Sequence, residues 1–206
     1  MSAADRLAKI KGLLQEKAQH SVKARPLFWK PAGLIRRISP SKKIQDWLST
    51  KGSLTAKLRL LCPDLEVVVL SEQLEIPLAN ETQSLGLKPN EAAWVRCVIL
   101  KGQGKNWVYA RTVIPDFTET NPWSHLQKLG SKPLGEVLFQ DKNIKRTPFT
   151  FASQSLETWP YLMNHLGSEK AHKKGYARRS KFTQQGAPLL LTEVFLPGLM
   201  EEPKEN

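Results

Sequence analysis

Two charges stand alone inside apolar strands, and their types suit them to hold or act on a ligand. Successive side chains of a strand point to opposite faces. In residues 92–100 one face therefore carries Trp94, Arg96, Val98 and Leu100, and the other Val95, Cys97 and Ile99. In PLLLTEVFLP, residues 188–197, one face carries Leu189, Leu191, Glu193 and Phe195, and the other Leu190, Thr192, Val194 and Leu196. An unpaired charge on a buried face is costly, so Arg96 and Glu193 either pair with each other or face a ligand. The residues alone leave both open. A guanidinium takes a carboxylate through two parallel hydrogen bonds, which makes a small carboxylic acid the simplest ligand. If residues 92–100 and 106–114 form a hairpin centred between Gln103 and Gly104, Arg96 faces Arg111. An anion between them then relieves the like charges. A register shifted by one residue puts the two arginines on opposite faces.

Other candidates carry less. His20, His125, His165 and His172 lack metal-ligand spacing. The segment LGSKPLG, 129–135, lacks the order of a phosphate loop. It reads as a turn feeding a helix, or as a mobile cover over the sheet with Leu134 as an apolar plug and Gly130 and Gly135 as flexible points. Cys62 and Cys97 read as buried thiols. Lys170, Lys173, Lys174, Arg178, Arg179 and Lys181 could touch phosphates but read better as a solvated loop face.

The elements that position these residues follow from periodicity. Leu7, Ile10, Leu13 and Leu14 give an amphipathic helix over 3–19, basic on its other faces, which docks on its own domain, a partner or an anionic lipid surface. Prolines break 22–40 into an irregular connector. Helices are expected over 41–49, with Ser41 as N-cap, over 53–61 and 121–129, and as a short turn over 133–139. Strands are expected over 65–70, 92–100, 106–114, 144–153, 176–184 and 188–197, the last two joined by Gln185-Gly186. Residues 155–175 read as a polar surface excursion. Helices followed by hairpins indicate an α+β domain on an antiparallel sheet.

Composition bounds the function. The chain of 206 residues carries a formal charge of +12, but residues 1–60 hold fourteen Lys or Arg against three acids, and the remainder holds seventeen against sixteen. A nucleic-acid module concentrates basic residues on its binding domain, and here the body of the fold is nearly neutral. The six tryptophans form no stacking ladder for single strands. No apolar run is long enough for a membrane-spanning helix. Two cysteines supply neither a disulfide framework nor a four-ligand zinc site, and the cytoplasm is the expected location.

Several stretches resemble the chorismate pyruvate-lyase family: DWLSTKGSLTAKL at 46–58, WVRCVIL at 94–100, NWVYARTVIP at 106–115, LQKLGSKPLGEVLF at 126–139, ARRSKF at 177–182 and GAPLLLTEVFLP at 186–197. The resemblance implies an antiparallel sheet flanked by helices, with an internal ligand cavity closed by flaps. It implies a lyase that removes pyruvate from chorismate to give 4-hydroxybenzoate for ubiquinone synthesis, with no cofactor or metal. Arg96, Leu134, Glu193 and Leu54 match the family's ligand-contacting positions, Leu54 standing where Met is frequent, and Arg111 lies near the site. Arg96 and Glu193 then carry catalysis. The organisation implied is a basic arm over 1–40, a catalytic domain over 41–200 and a polar tail over 201–206, in a monomer. The arm and the 155–175 segment read as additions. The same fold resembles the effector-binding domains of GntR-type regulators, so a non-catalytic carboxylate sensor is the alternative. Residues 1–60 offer no continuous recognition helix for such a regulator.

Overall fold

The computed structural model describes residues 28–39, 41–166 and 173–201. The expected 3–19 helix, His20, Lys170, His172 and residues 202–206 lie outside them. The strands are β1 (Lys30–Pro31), β2 (Glu66–Glu75), β3 (Ala93–Gly102), β4 (Lys105–Ile114), β5 (Lys145–Arg146), β6 (Thr150–Ser155), β7 (Lys174–Gln184) and β8 (Ala187–Phe195). The helices are α1 (Ile35–Ile38), α2 (Lys42–Leu48), α3 (Leu54–Leu61), α4 (Ala79–Leu85), α5 (Leu134–Leu138) and α6 (Pro197–Met200). The strands form one antiparallel sheet in the order β1-β6-β7-β8-β4-β3-β2, with β5 added to β7. The expected α+β class with an antiparallel sheet therefore holds. The segment read as an irregular connector supplies β1 and α1.

Local chemistry sets the helix starts near the sheet's front face. Ser41 Oγ accepts from the Ile44 amide at 3.4 Å, and Ser53 Oγ from the Ala56 amide at 3.2 Å, so each helix satisfies an orphan amide at its first turn. The 121–129 helix shrinks to a 3-10 turn, Ser124–Lys128.

The front face carries Arg96, Val98, Ala110, Thr112, Leu191, Glu193, Arg178 and Ser180 in adjoining rows. Two apolar clusters cap its ends. Trp47, Leu48, Leu54 and Leu58 of α2 and α3 pack with Val98, Leu100 and Phe195 at one end. Trp123, Leu126, Leu134 and Leu138 pack with Trp94, Ile114 and Leu189 at the other. The back face packs Val95, Cys97, Ile99, Tyr109 and Val194 against Leu156, Trp159 and Leu162. Within the expected surface excursion, Leu156, Trp159 and Leu162, three apart in sequence, thus turn inward beside 3-10 turns and cover the back face.

The β3–β4 hairpin starts in the expected register, Gly102 opposite Lys105 and Lys101 opposite Asn106, and then slips by one residue. Trp107 is the extra residue of a bulge, and its ring fills the space that a Cβ on Gly102 would need. From Leu100↔Val108 onward every pair is displaced, so Arg96 faces Thr112 and Cys97 faces Arg111. A one-residue slip exchanges the faces. Arg111 therefore points to the back of the sheet, and the expectation that it opposes Arg96 is corrected.

Candidate functional site

Arg96, Glu193 and Arg178 share the front face, and Arg96 and Glu193 are not each other's partner. Arg96 Nε donates to Glu72 Oε2 at 3.1 Å, across the β2–β3 pair. Glu193 lies opposite Arg178 on β7 and accepts from its Nε at 2.6 Å. Arg178, expected on a solvated loop, is 1% exposed. Its strand alternates Tyr176, Arg178, Ser180 and Phe182 onto the front face, the signal that could have found it. Burial pulls the Arg96 pKa below the ordinary arginine value, against the attraction of Glu72.

Each arginine also holds one segment that covers the sheet. Arg96 Nη2 donates to the carbonyls of Gly130 at 2.6 Å and Lys132 at 3.5 Å, within the 129–135 turn. Arg178 Nη1 donates to the carbonyls of Thr50 at 2.7 Å and Leu48 at 3.4 Å, where α2 leads into α3. The two covers meet over the charges. A Cβ on Gly135 would sit 2.9 Å from Thr55 Oγ1 and 3.1 Å from Ser53 Oγ. Gly135, expected as a flexible point, is instead a close-packing glycine. Gly130 has φ +53, a left-handed turn that glycine adopts without strain.

Between sheet and covers lies a pocket walled by Leu54, Leu134, Phe149 and Leu191, with Arg96, Arg146, Arg178 and Glu193 as its charged lining. Its open interior is about 30 Å³, room for two or three waters at roughly 10–15 Å³ each. Four of the five residues singled out from sequence, Leu54, Arg96, Leu134 and Glu193, line this one pocket. Arg146 joins them from β5, a two-residue strand with no periodicity to announce it.

Arg111, the fifth, belongs to a separate network behind the sheet. Its Nε donates to Glu81 Oε1 at 2.9 Å and its Nη1 to Glu75 Oε1 at 2.6 Å. Burial opposes its charge most strongly, but Glu81, together with the neighbouring Cys97 and Tyr109, holds its pKa well above the ordinary arginine value. Tyr161 donates its hydroxyl to Glu75 at 2.6 Å, and Tyr109 to Cys97 Sγ at 3.4 Å. Glu81 comes from α4, for which no element was expected.

Residues 24–204 match the family model described as Chorismate lyase. A protein of Hydrogenovibrio crunogenus named "Probable chorismate pyruvate-lyase" is 47% identical over 169 residues, 82% of this chain and 89% of its own. One of the same name from Aromatoleum aromaticum is 38% identical over 166 residues, 78% of this chain and 88% of its own. Among solved structures, PhnF from Mycobacterium smegmatis superposes with a TM-score of 0.52 over 72% of this chain and 65% of its own, at 12% identity. That last match is a likeness of fold alone.

Proposed function

This chain belongs to the chorismate lyase family, and from that premise we propose that it removes pyruvate from chorismate to give 4-hydroxybenzoate, supplying ubiquinone synthesis in the cytoplasm. One observation carries the reading to this chain's own residues. The pocket sets three arginines against one carboxylate within apolar walls, a net excess of positive charge that complements a dianion with a hydrocarbon ring.

In this reading Arg96 holds the ring carboxylate through the guanidinium nitrogen that Glu72, Gly130 and Lys132 leave uncommitted. Glu193 lies two strands away, about 10 Å across the sheet, and accepts the hydrogen bond of the C4 hydroxyl. Leu54 and Leu134 press on the ring and exclude water. The bond from C3 to the ether oxygen breaks, C4 loses its hydrogen, and the methylene carbon of the departing enolpyruvyl group gains a proton. Atoms balance as 4-hydroxybenzoate and pyruvate, with neither oxidant nor water consumed. Aromatisation makes the step downhill, so the protein's main contribution is to hold the reactive conformer and to orient Glu193 for the proton's movement.

The test mixes the purified protein with chorismate and follows both products. Equimolar 4-hydroxybenzoate and pyruvate, lost in Arg96→Ala, is the expected result. Saturable binding of 4-hydroxybenzoate without turnover would overturn it in favour of a carboxylate sensor.

A further inference from the structure

Chorismate has two carboxylates, and the pocket divides its cations unequally between them. Arg96 is engaged by Glu72 and two backbone carbonyls, and Arg178 by Glu193 and two more. Arg111 is on the other side of the sheet. Arg146 is different. Among the described residues its guanidinium makes no ion pair within contact distance and no hydrogen bond, and Glu193 attracts it only from farther off. It rests on aromatic rings, 4.4 Å from the centroid of Phe149, 5.6 Å from Phe139 and 6.0 Å from Phe182. Phe149 is shared, because Arg178 also sits 4.4 Å from its centroid. Two cations thus flank one ring beside a single carboxylate, Glu193. Burial and the neighbouring Arg178 draw the Arg146 pKa below the ordinary arginine value against the pull of Glu193, so a second anion beside these two rings offsets a repulsion that Glu193 leaves uncompensated.

We propose that Arg146 is the anchor for the substrate's second carboxylate, the one on the enolpyruvyl group. The inference rests on the lyase reading above and deepens it. Its five N–H donors are uncommitted, and a planar fork on an aromatic shelf is arranged to take a carboxylate through two hydrogen bonds. Position agrees with chemistry. Arg146 is half-buried, and its neighbour Phe139 is 43% exposed, so this end of the pocket lies nearest solvent. The group that leaves is held toward the exit, and the ring lies inward between Arg96 and Glu193. The product 4-hydroxybenzoate carries only the ring carboxylate and makes no demand on Arg146.

That asymmetry is the test. Arg146→Gln and Arg146→Lys are compared with the unsubstituted protein for chorismate turnover and, separately, for 4-hydroxybenzoate binding by calorimetry. The expected result is a KM for chorismate raised about 30-fold in Arg146→Gln, the scale of a lost charged hydrogen-bond pair. Lysine restores part of it, and 4-hydroxybenzoate affinity stays within about twofold. Unchanged 4-hydroxybenzoate binding also certifies the fold. A KM that stays put, or a 4-hydroxybenzoate affinity that falls in step with it, overturns the assignment of Arg146. Absence of turnover in the unsubstituted protein overturns the lyase reading itself, a failure visible before any variant is made.

Discussion

Arg111 and Glu81 form the most deeply buried ion pair behind the sheet, and removing either tests whether Arg111 serves the fold or the ligand. Their side chains are 1% and 3% exposed, so solvent screens little of the interaction. Two unit charges about 4 Å apart at an effective dielectric of about 20 attract by roughly 4 kcal/mol. Stranding one of them in the interior costs on the order of 3–5 kcal/mol. Arg111→Met is the worse single change, because it abandons both Glu81 and Glu75, although Glu75 keeps the Tyr161 hydroxyl. Glu81→Leu leaves Arg111 its bond to Glu75 but takes from the Leu78 amide the Glu81 oxygen that caps it at 2.9 Å. In a chain of this size each kcal/mol moves Tm by roughly 2–4 °C, so each single variant melts roughly 10–15 °C lower. The double variant replaces the pair by apolar volume and keeps only the cap loss and a less supported Glu75, about 1–2 kcal/mol. Urea unfolding of the four proteins gives the cycle, and the expected coupling is at least about 3 kcal/mol. Chorismate turnover of the double variant, measured where it is folded, is expected to keep its KM within about threefold. Additive losses would refute the buried pair. A folded double variant with KM raised tenfold or more would place Arg111 at the ligand, contrary to the register.

Other consequences are open to direct measurement. Glu193→Gln keeps an acceptor for Arg178, which also retains the Leu48 and Thr50 carbonyls; kcat is expected to fall about 100-fold and Tm by roughly 4–8 °C, whereas a lower Tm with turnover intact would leave Glu193 a structural partner only. Gly135→Ala puts a methyl group against Thr55 and Ser53 and is expected to cost about 1–2 kcal/mol and to raise the KM for chorismate as the covers separate; an unchanged melting curve and KM would disprove the close packing. Burial pushes the Cys97 thiol above its ordinary value, with Arg111 pulling the other way. The unfolded chain therefore loses that proton first, and this thiol's contribution to stability falls as pH rises past about 8.5. Correspondingly, a thiol reagent at pH 8 is expected to titrate the partly exposed Cys62 in the native protein and Cys97 only after denaturation.

The sequence revealed this site wherever strand alternation was long enough to read. Arg96 and Glu193 each interrupt an apolar face of a long strand, and both line the pocket. Arg178 obeys the same rule but lies among Lys173, Lys174, Arg179 and Lys181, and its neighbours' charges concealed the alternation of its strand. Arg146 stands on a strand too short to have a period. The register of Arg111 was lost to a bulge, which depends on Trp107 packing over Gly102 rather than on loop length. The α4 sequence ANETQSL has no apolar stripe, and the helix is fixed instead by Glu81, which caps the Leu78 amide and pairs with Arg111. Local pattern encodes which residues share a face. It does not encode which buried charge on another element completes a pair, because that partner is chosen by tertiary approach.

The distribution of charge explains why the pocket lies where it does. The two apolar clusters on the front face leave the middle of the sheet to Arg96, Glu193 and Arg178, and neither cover satisfies these groups with side chains. Both use backbone carbonyls, from Thr50 and Leu48 on one side and Gly130 and Lys132 on the other. A carbonyl carries only a partial charge, so it holds a guanidinium less strongly than a carboxylate does. In the proposed function the ring carboxylate takes the Arg96 nitrogen that Glu72 and these carbonyls leave uncommitted, beside the 129–135 turn that carries Leu134. On the back face, among the described residues, Arg111 has Glu81 and Glu75, and Arg179 has Asn80, through its side chain at 2.8 Å and its carbonyl at 3.4 Å, and the ring of Trp29. The front-face arginines thus combine one carboxylate each, Glu72 or Glu193, with carbonyl partners that belong to the covers, and it is these carbonyl contacts that tie the covers to the pocket.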